Sequence, residues 1–186
     1  MINKAIHFAT AVHSNQTRKG TNIPYILHCL EAGTIAASLS TQKGNIDEDV
    51  VSAAILHDTI EDAYVTYETL KAAFNENIAH LVKNQSEDKS KPWIDRKNDT
   101  INFLYANKSI DVEIVTLADK LSNMRSIYKD YQIMGETLWN KFNAGKEMQY
   151  WYYNSIAKAI TQIQDTNEHR EYQDLINKVF NIEGGN

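Results

Sequence analysis

Residues 50–62 read VVSAAILHDTIED, an apolar run that turns abruptly into one histidine and three carboxylates. Apolar residues recur there at intervals of three and four rather than two, which is the period of a helix and not of a strand. The same period runs through nearly the whole chain, and only 7 Gly and 2 Pro interrupt its 186 residues. The expectation is an all-α domain, a single bundle of about eight to ten helices over residues 1–186, without repeat, linker or low-complexity segment.

Outward from that stretch, Asp47 or Asn45 is placed to cap the helix that carries it, and the pattern predicts that this one helix continues through His57 and Asp58 to the acidic pair. Toward the N-terminus, a helix from about Asn3 to His13 is followed by a polar loop, SNQTRKGTNIP, closed by Pro24, and a second helix carries His28 through Leu39. Toward the C-terminus, Thr66 is a cap for a short YETLKAAF helix, Asn75 to Asn84 forms another, and Pro92 opens a helix from Trp93 to about Ala106. Ser109 is placed to cap a long helix from Ile110 to about Tyr131, with Gly135 marking its end. Two further helices, near Lys146 to Gln164 and Glu168 to Phe180, precede an EGGN tail expected to fray.

A hydrophobic content of 42% supports one core of ordinary proportions. No apolar run approaches the roughly 18 residues of a membrane span, and the N-terminal MINKAIHFATAVHSNQTRKG suits neither a span nor a signal peptide, so a cytoplasmic protein is expected. The formal charge of −5 argues against a nucleic-acid surface. Neither nucleic acid nor membrane is expected as a partner. A small anionic ligand is, because a bound metal with a few Lys or Arg supplies a local cationic pocket against the sign of the net charge. Cys29 is the sole cysteine, so an internal disulfide and a zinc site with two cysteines of one chain are excluded. Any metal falls mainly to His and carboxylate.

On a continuous helix, side chains four apart share a face with Cβ atoms roughly 5–6 Å apart, which stacks His57 near Glu61 and Asp58 near Asp62. Like charges so crowded raise each other's pKa, whereas a divalent metal bound by neutral imidazole and carboxylate converts the repulsion into ligation. Taken alone, the His-Asp pair reads equally as an acidic, solvated helix end. A second segment, LADKLSNMRS at 117–126, sets Asp119 inside an apolar helix, where Asp is a poor residue. Asp119, Asn123 and Ser126 align on one face there and Leu117, Leu121 and Met124 on another; an interhelical hydrogen-bond network is the competing account of the polar stripe. A third segment runs from Arg18-Lys19-Gly20 through Pro24-Tyr25 to His28. A lone helical histidine is more often core than ligand. Here the order of basic loop, isolated His, His-Asp pair and later Asp supplies four ligands, His28, His57, Asp58 and Asp119, from separate helices that a bundle can bring together.

The motifs RKGTNIPYILH, AAILHDTIED and LADKLSNMRS, in that order, resemble the HD-domain phosphohydrolases, and within them the hydrolase module of the RelA/SpoT enzymes and their small stand-alone relatives. The resemblance covers about residues 2–159 and takes in FNAGKEMQYWYY, which is similar to the C-terminal portion of small bacterial members. Glu61-Asp62 is its discriminating part, since generic HD phosphohydrolases resemble this chain at His57-Asp58 and Asp119 without needing that pair. One departure is Cys29, where the family's second-helix histidine is commonly followed by Pro; it should adjust the helix start without moving the imidazole.

The resemblance implies an alarmone hydrolase that removes pyrophosphate from the 3′ position of (p)ppGpp and leaves GDP or GTP. It implies that His28, His57, Asp58 and Asp119 hold one Mn2+, with Zn2+ the less favoured occupant, and that Glu61 and Asp62 position or deprotonate water. Arg18 and Lys19 suit the guanine face and the phosphates, Asn123 and Ser126 the ribose or phosphates. The basic segment Lys89, Lys91, Arg96 and Lys97 either closes over the 5′ diphosphate or is a solvated face. The long RelA/SpoT enzymes continue into a synthetase that this resemblance does not reach, so degradation without synthesis is expected. Two alternatives stand beside this reading: the same site acting on another ribose-phosphorylated nucleotide such as NADPH, and a catalytically silent nucleotide-binding or metal-sensing module. The Tyr150-Trp151-Tyr152-Tyr153 segment is expected in the core rather than at a partner surface.

Overall fold

The computed structural model describes residues 1–41, 44–107 and 109–180. These form α1 (Ile2–Val12), α2 (Ile26–Ser40), α3 (Glu48–Leu56), α4 (Thr59–Asp62), α5 (Tyr67–Ala73), α6 (Glu76–Gln85), α7 (Trp93–Ala106), α8 (Ile110–Met134), α9 (Lys146–Ala159) and α10 (Asn167–Phe180). A 3-10 segment, Gly135–Lys141, joins α8 to α9, and no strand occurs among the described residues. None of the described helices is long and apolar enough to cross a membrane.

The apolar run of α3 is the centre of the bundle. Every residue from Val50 to Leu56 is buried, so the helix is enclosed on all sides rather than along one stripe. It packs against α1, α2, α6 and α8, while α2 also lies on α8, α10 runs along α8, and α7 packs on α9. Gly33 allows a close approach of α2 to α3: a Cβ there would stand 2.4 Å from Ile55 Cγ1. Its absence lets α2 lie directly on α3, and that brings the start of α2 and the end of α3 together.

Local capping accounts for three helix starts. Asp47, not Asn45, accepts from the amides of Asp49 and Val50, Thr66 from Thr69, and Asn75 from Ile78, each such cap contributing about 1 kcal/mol. Gly135, at φ 55°, ends α8 in the left-handed region that favours glycine. Ser109 occupies the N-cap position of α8, but its side chain makes no capping bond. The tail expected to fray lies outside the described residues.

Two elements differ from the pattern for a physical reason. The helix read through residues 50–62 breaks: α3 stops at Leu56, Asp58 adopts φ −93° and ψ 0°, and Thr59 Oγ1 donates to the Leu56 carbonyl at 2.7 Å before α4 begins. Asp58 sits at the N-cap of α4 but caps nothing, because its carboxylate is engaged by Tyr25 and His57. Helix α9 stops at Ala159 rather than near Gln164. There the amides of Thr161 and Gln162 leave the helical ladder and donate to Glu113 Oε2 at 3.0 and 2.7 Å, which satisfies a fully buried carboxylate of α8. The aromatic segment of α9 divides, with Tyr152 and Tyr153 buried and Tyr150 and Trp151 half-buried against the core.

Candidate metal centre

Two helices and one turn converge on a single point. His28 comes from the first turns of α2, His57 and Asp58 from the break after α3, and Asp119 from the middle of α8. His28, His57 and Asp119 each offer a donor atom within 4.8 Å of the others. His28 Nε2 lies 3.2 Å from His57 Nε2 and 3.2 Å from Asp119 Oδ1, and His57 Nε2 lies 3.4 Å from that same oxygen. Asp58 Oδ2 stands 2.7 Å from His57 Nε2 and 3.7 Å from His28 Nε2. Both imidazoles are almost fully buried.

The chemistry of this donor set fits a metal ion. His57 Nδ1 faces the Ala54 carbonyl at 2.8 Å, an acceptor only, so the ring proton sits on Nδ1 and Nε2 presents a lone pair. His28 Nδ1 faces Ser122 Oγ at 2.8 Å, and Ser122 gives its own proton to Glu31 Oε2 at 2.8 Å, so His28 Nε2 presents a lone pair as well. Two lone pairs and two carboxylates then face one another in a buried space, an arrangement that needs a cation at its centre.

The electrostatics carry the same demand. Burial pulls the His57 imidazole toward neutrality, yet Asp58 and Asp119 hold its pKa well above the usual histidine range. Burial pushes Asp119 up, but Lys120 and His57 hold it well below the ordinary carboxylate range, and His57 does the same for Asp58. His28 is lowered, chiefly by burial.

Further residues hold the two carboxylates. Tyr25 OH donates to Asp58 Oδ2 at 2.6 Å; Lys120 Nζ and Asn123 Nδ2 each donate to Asp119 at 2.6 Å. Asn123 in turn accepts from Arg18 at 2.9 Å, which ties the basic loop to α8. The stripe of Asp119 and Asn123 is thus partly a hydrogen-bond network and partly the rim of the site, while Leu117, Leu121 and Met124 are fully buried. Tyr25 and Lys120 stand inside the sequence motifs, but nothing local to either residue marks its pairing.

The acidic pair is placed on α4, beside this centre. Glu61 Oε2 accepts the Glu87 amide at 3.0 Å, and Lys89 pairs with the Asp62 carboxylate while its Nζ stands 3.7 Å from Glu61 Oε1. Burial first, then the charges of Glu87, Asp58 and Asp62, raise the Glu61 pKa above the usual carboxylate range despite the Glu87 amide. The basic segment is engaged by acids throughout: Lys89 by Asp62, Lys91 by Asp99, and both Arg96 and Lys97 by Glu87.

A cavity of about 230 Å³ opens at the basic loop and α8. Arg18, Lys19, Asn123 and Ser126 all line it, so the four candidate substrate-binding residues share one space. Tyr25, Ile127, Phe142 and Tyr153 supply apolar wall, and Asp130 and Lys141 a further ion pair at 3.0 Å. Lys141 and Phe142 come from the segment after α8, where the sequence shows no periodic signal.

Residues 5–146 match the family described as HD domain. Among curated proteins, the chain is similar to the guanosine-3′,5′-bis(diphosphate) 3′-pyrophosphohydrolase MESH1 of Drosophila melanogaster, 29% identical over 97% of this chain and 93% of that protein. The Xenopus tropicalis protein of the same name is 36% identical over 68% of this chain and 69% of its own length. Among solved structures, the fold superposes with a TM-score of 0.77 on one described as a metazoan ortholog of SpoT that hydrolyzes ppGpp, at 23% identity over 95% of this chain and 94% of that one.

Proposed function

We propose, from the premise that this chain belongs to the HD-domain family and within it to the MESH1-type guanosine-3′,5′-bis(diphosphate) 3′-pyrophosphohydrolases, that it removes pyrophosphate from the 3′ position of guanosine tetra- or pentaphosphate and leaves GDP or GTP. The observation that supports this reading most directly is the convergence of two imidazole lone pairs and two carboxylates beside a cavity lined by Arg18, Lys19, Asn123 and Ser126.

His28, His57, Asp58 and Asp119 would hold one divalent ion, Mn2+ in our reading of the mixed N/O donors, and that ion would supply Lewis acidity toward the phosphoryl oxygens and lower the pKa of water. Arg18 offers a planar guanidinium to the base and Lys19 a point charge to a phosphate. Asn123 and Ser126 offer hydrogen bonds to ribose or phosphate from the same wall. Glu61, with its pKa raised toward working pH, takes the proton of the attacking water, and Asp62, its carboxylate held by Lys89, orients that water. Attack in line on the phosphorus bonded to the 3′ oxygen forms a P–O bond to water and breaks the bond to the ribose. The 3′ oxygen gains a proton from solvent as it leaves and becomes the hydroxyl of GDP or GTP, and Glu61 returns the proton it took to solvent.

The test is a substrate panel with purified protein and Mn2+, resolved by anion-exchange chromatography. Guanosine tetraphosphate should give GDP and pyrophosphate. Consumption of NADPH with no GDP formed from guanosine tetraphosphate would transfer the site to the other ribose-phosphorylated nucleotide.

A further inference from the structure

His28 is connected to the C-terminal helix by an unbroken line of hydrogen bonds. Its Nδ1 lies 2.8 Å from Ser122 Oγ, and Ser122 donates to Glu31 Oε2 at 2.8 Å. Arg125 NH1 donates to Glu31 Oε1 at 3.0 Å, and Arg125 Nε and NH2 each donate to Glu171 at 2.7 Å in the two-pronged geometry of a guanidinium on a carboxylate. The line crosses α2, α8 and α10. Neither Glu31 nor Glu171 was singled out by the sequence pattern, and α10 lies beyond the residues matched to the HD domain.

The direction of each proton follows from the inventory of donors. Arg125 has donors only, so Glu31 and Glu171 accept from it as carboxylates. Ser122 has one proton, which goes to Glu31, and its lone pair is left for His28 Nδ1–H. That places the His28 lone pair on Nε2, the atom facing His57 and Asp119.

We propose that Glu31, Ser122, Arg125 and Glu171 are positioning residues that fix the tautomer and ring orientation of His28, so that α10 helps to set the metal affinity of the site. This rests on the metal-site reading above. The competing account is a staple that only fastens α2 and α10 to α8. Exposure separates the two: the side chains of Glu31, Arg125 and Glu171 are 39%, 36% and 41% exposed, and ion pairs so open to water contribute little to folding stability. An outer partner of a ligating histidine, by contrast, typically governs metal affinity by about 10–100-fold.

The experiment measures Mn2+ affinity by calorimetry, the His28 tautomer by ¹⁵N NMR and the melting temperature of the metal-free protein. Ser122→Ala and Glu31→Ala should each weaken Mn2+ binding by about 10–100-fold, with a mixed His28 tautomer and little change in melting. Glu31→Gln, whose amide oxygen still accepts from Ser122, should recover part of that loss. If Ser122→Ala does not fold, Glu171→Ala at the exposed end of the line carries the test, with a loss of about tenfold expected. Wild-type affinity in Ser122→Ala or in Glu171→Ala overturns the assignment, as does a drop in melting temperature with affinity and tautomer intact. Wild-type protein that takes up no divalent ion overturns both this inference and the metal site beneath it.

Discussion

Helix α8 carries two buried carboxylates with opposite fates. Glu113, near its N-terminal end, is fully buried and accepts two backbone amides and the Thr161 hydroxyl, all from the segment that follows α9. Asp119, farther along, is 6% exposed and accepts from Lys120 and Asn123, yet it also faces two imidazole lone pairs and shares its space with Asp58. The first carboxylate is satisfied by donors of its own chain and closes the account of a helix end. The second belongs to a set of donor atoms arranged to hold a metal ion. Burial and residue type are alike in the two cases, so neither identifies a functional acid; the donors and acceptors around it do.

Asp119→Ala should have the largest effect. It should abolish Mn2+ binding and lower turnover by about 10³-fold or more, the equivalent of the several kcal/mol a Lewis acid supplies. Metal analysis of the purified variant and single-turnover assays read both effects. A variant that retained stoichiometric Mn2+ would place Asp119 with Glu113, among structural acids.

Glu61→Gln sharpens the contrast by adding an acid that touches neither extreme. It should keep bound metal and substrate affinity yet lose about 10²–10⁴-fold in kcat. The pH profile gives a second readout. Burial raises the Glu61 pKa, and a base works only when ionised, so wild-type kcat should fall as pH drops through a value above the ordinary carboxylate range of about 4.5. In Glu61→Gln that acid limb should vanish. An empty metal site in this variant would move Glu61 into the ligand set.

Glu113→Ala is the converse test. The Thr161 and Gln162 amides would lose a charged acceptor, at a cost of about 1.5–3 kcal/mol in folding stability by denaturant titration, while Mn2+ affinity and kcat of the folded protein stay at wild-type levels. Loss of metal without loss of stability would contradict the assignment of Glu113 to the fold.

The same contrast explains what was legible in the sequence. The caps Asp47, with Asn45 as its alternative, and Thr66 and the terminator Gly135 are local, acting on amides two or three residues away or on their own backbone, and could be read from the chain. The four ligand candidates were legible through the order of basic loop, isolated His, His-Asp pair and later Asp, not through any one residue alone. The engagement of Asp58 at the break was not, because its partner Tyr25 lies 33 residues earlier. Nor was the end of α9, because Glu113 reaches it from 48 residues away. Lys120, Glu31 and Glu171 escaped notice for a related reason: Lys and Glu are ordinary on helix surfaces, and only the packing of α2, α8 and α10 reveals their partners.

The smallest effect belongs to Lys89, which is 52% exposed, pairs with Asp62 and stands 3.7 Å from Glu61 Oε1. Replacing it with Met removes a cation from beside two carboxylates. An ion pair so exposed is worth about 0–1 kcal/mol, so the melting temperature should barely move. The catalytic readout is more sensitive, because the same interaction acts on the ionisation of Glu61. Loss of a neighbouring positive charge disfavours the carboxylate form and pushes the Glu61 pKa still higher. Activity that depends on ionised Glu61 should therefore be lost at a higher pH than in wild type, with the acid limb displaced upward by at most about 0.7 pH unit, 1 kcal/mol expressed at 1.36 kcal/mol per unit. A kcat–pH profile of Lys89→Met beside Glu61→Gln distinguishes the possibilities. A limb that moves downward, or that moves in Lys89→Met but persists in Glu61→Gln, would mean that the titrating base is a group other than Glu61.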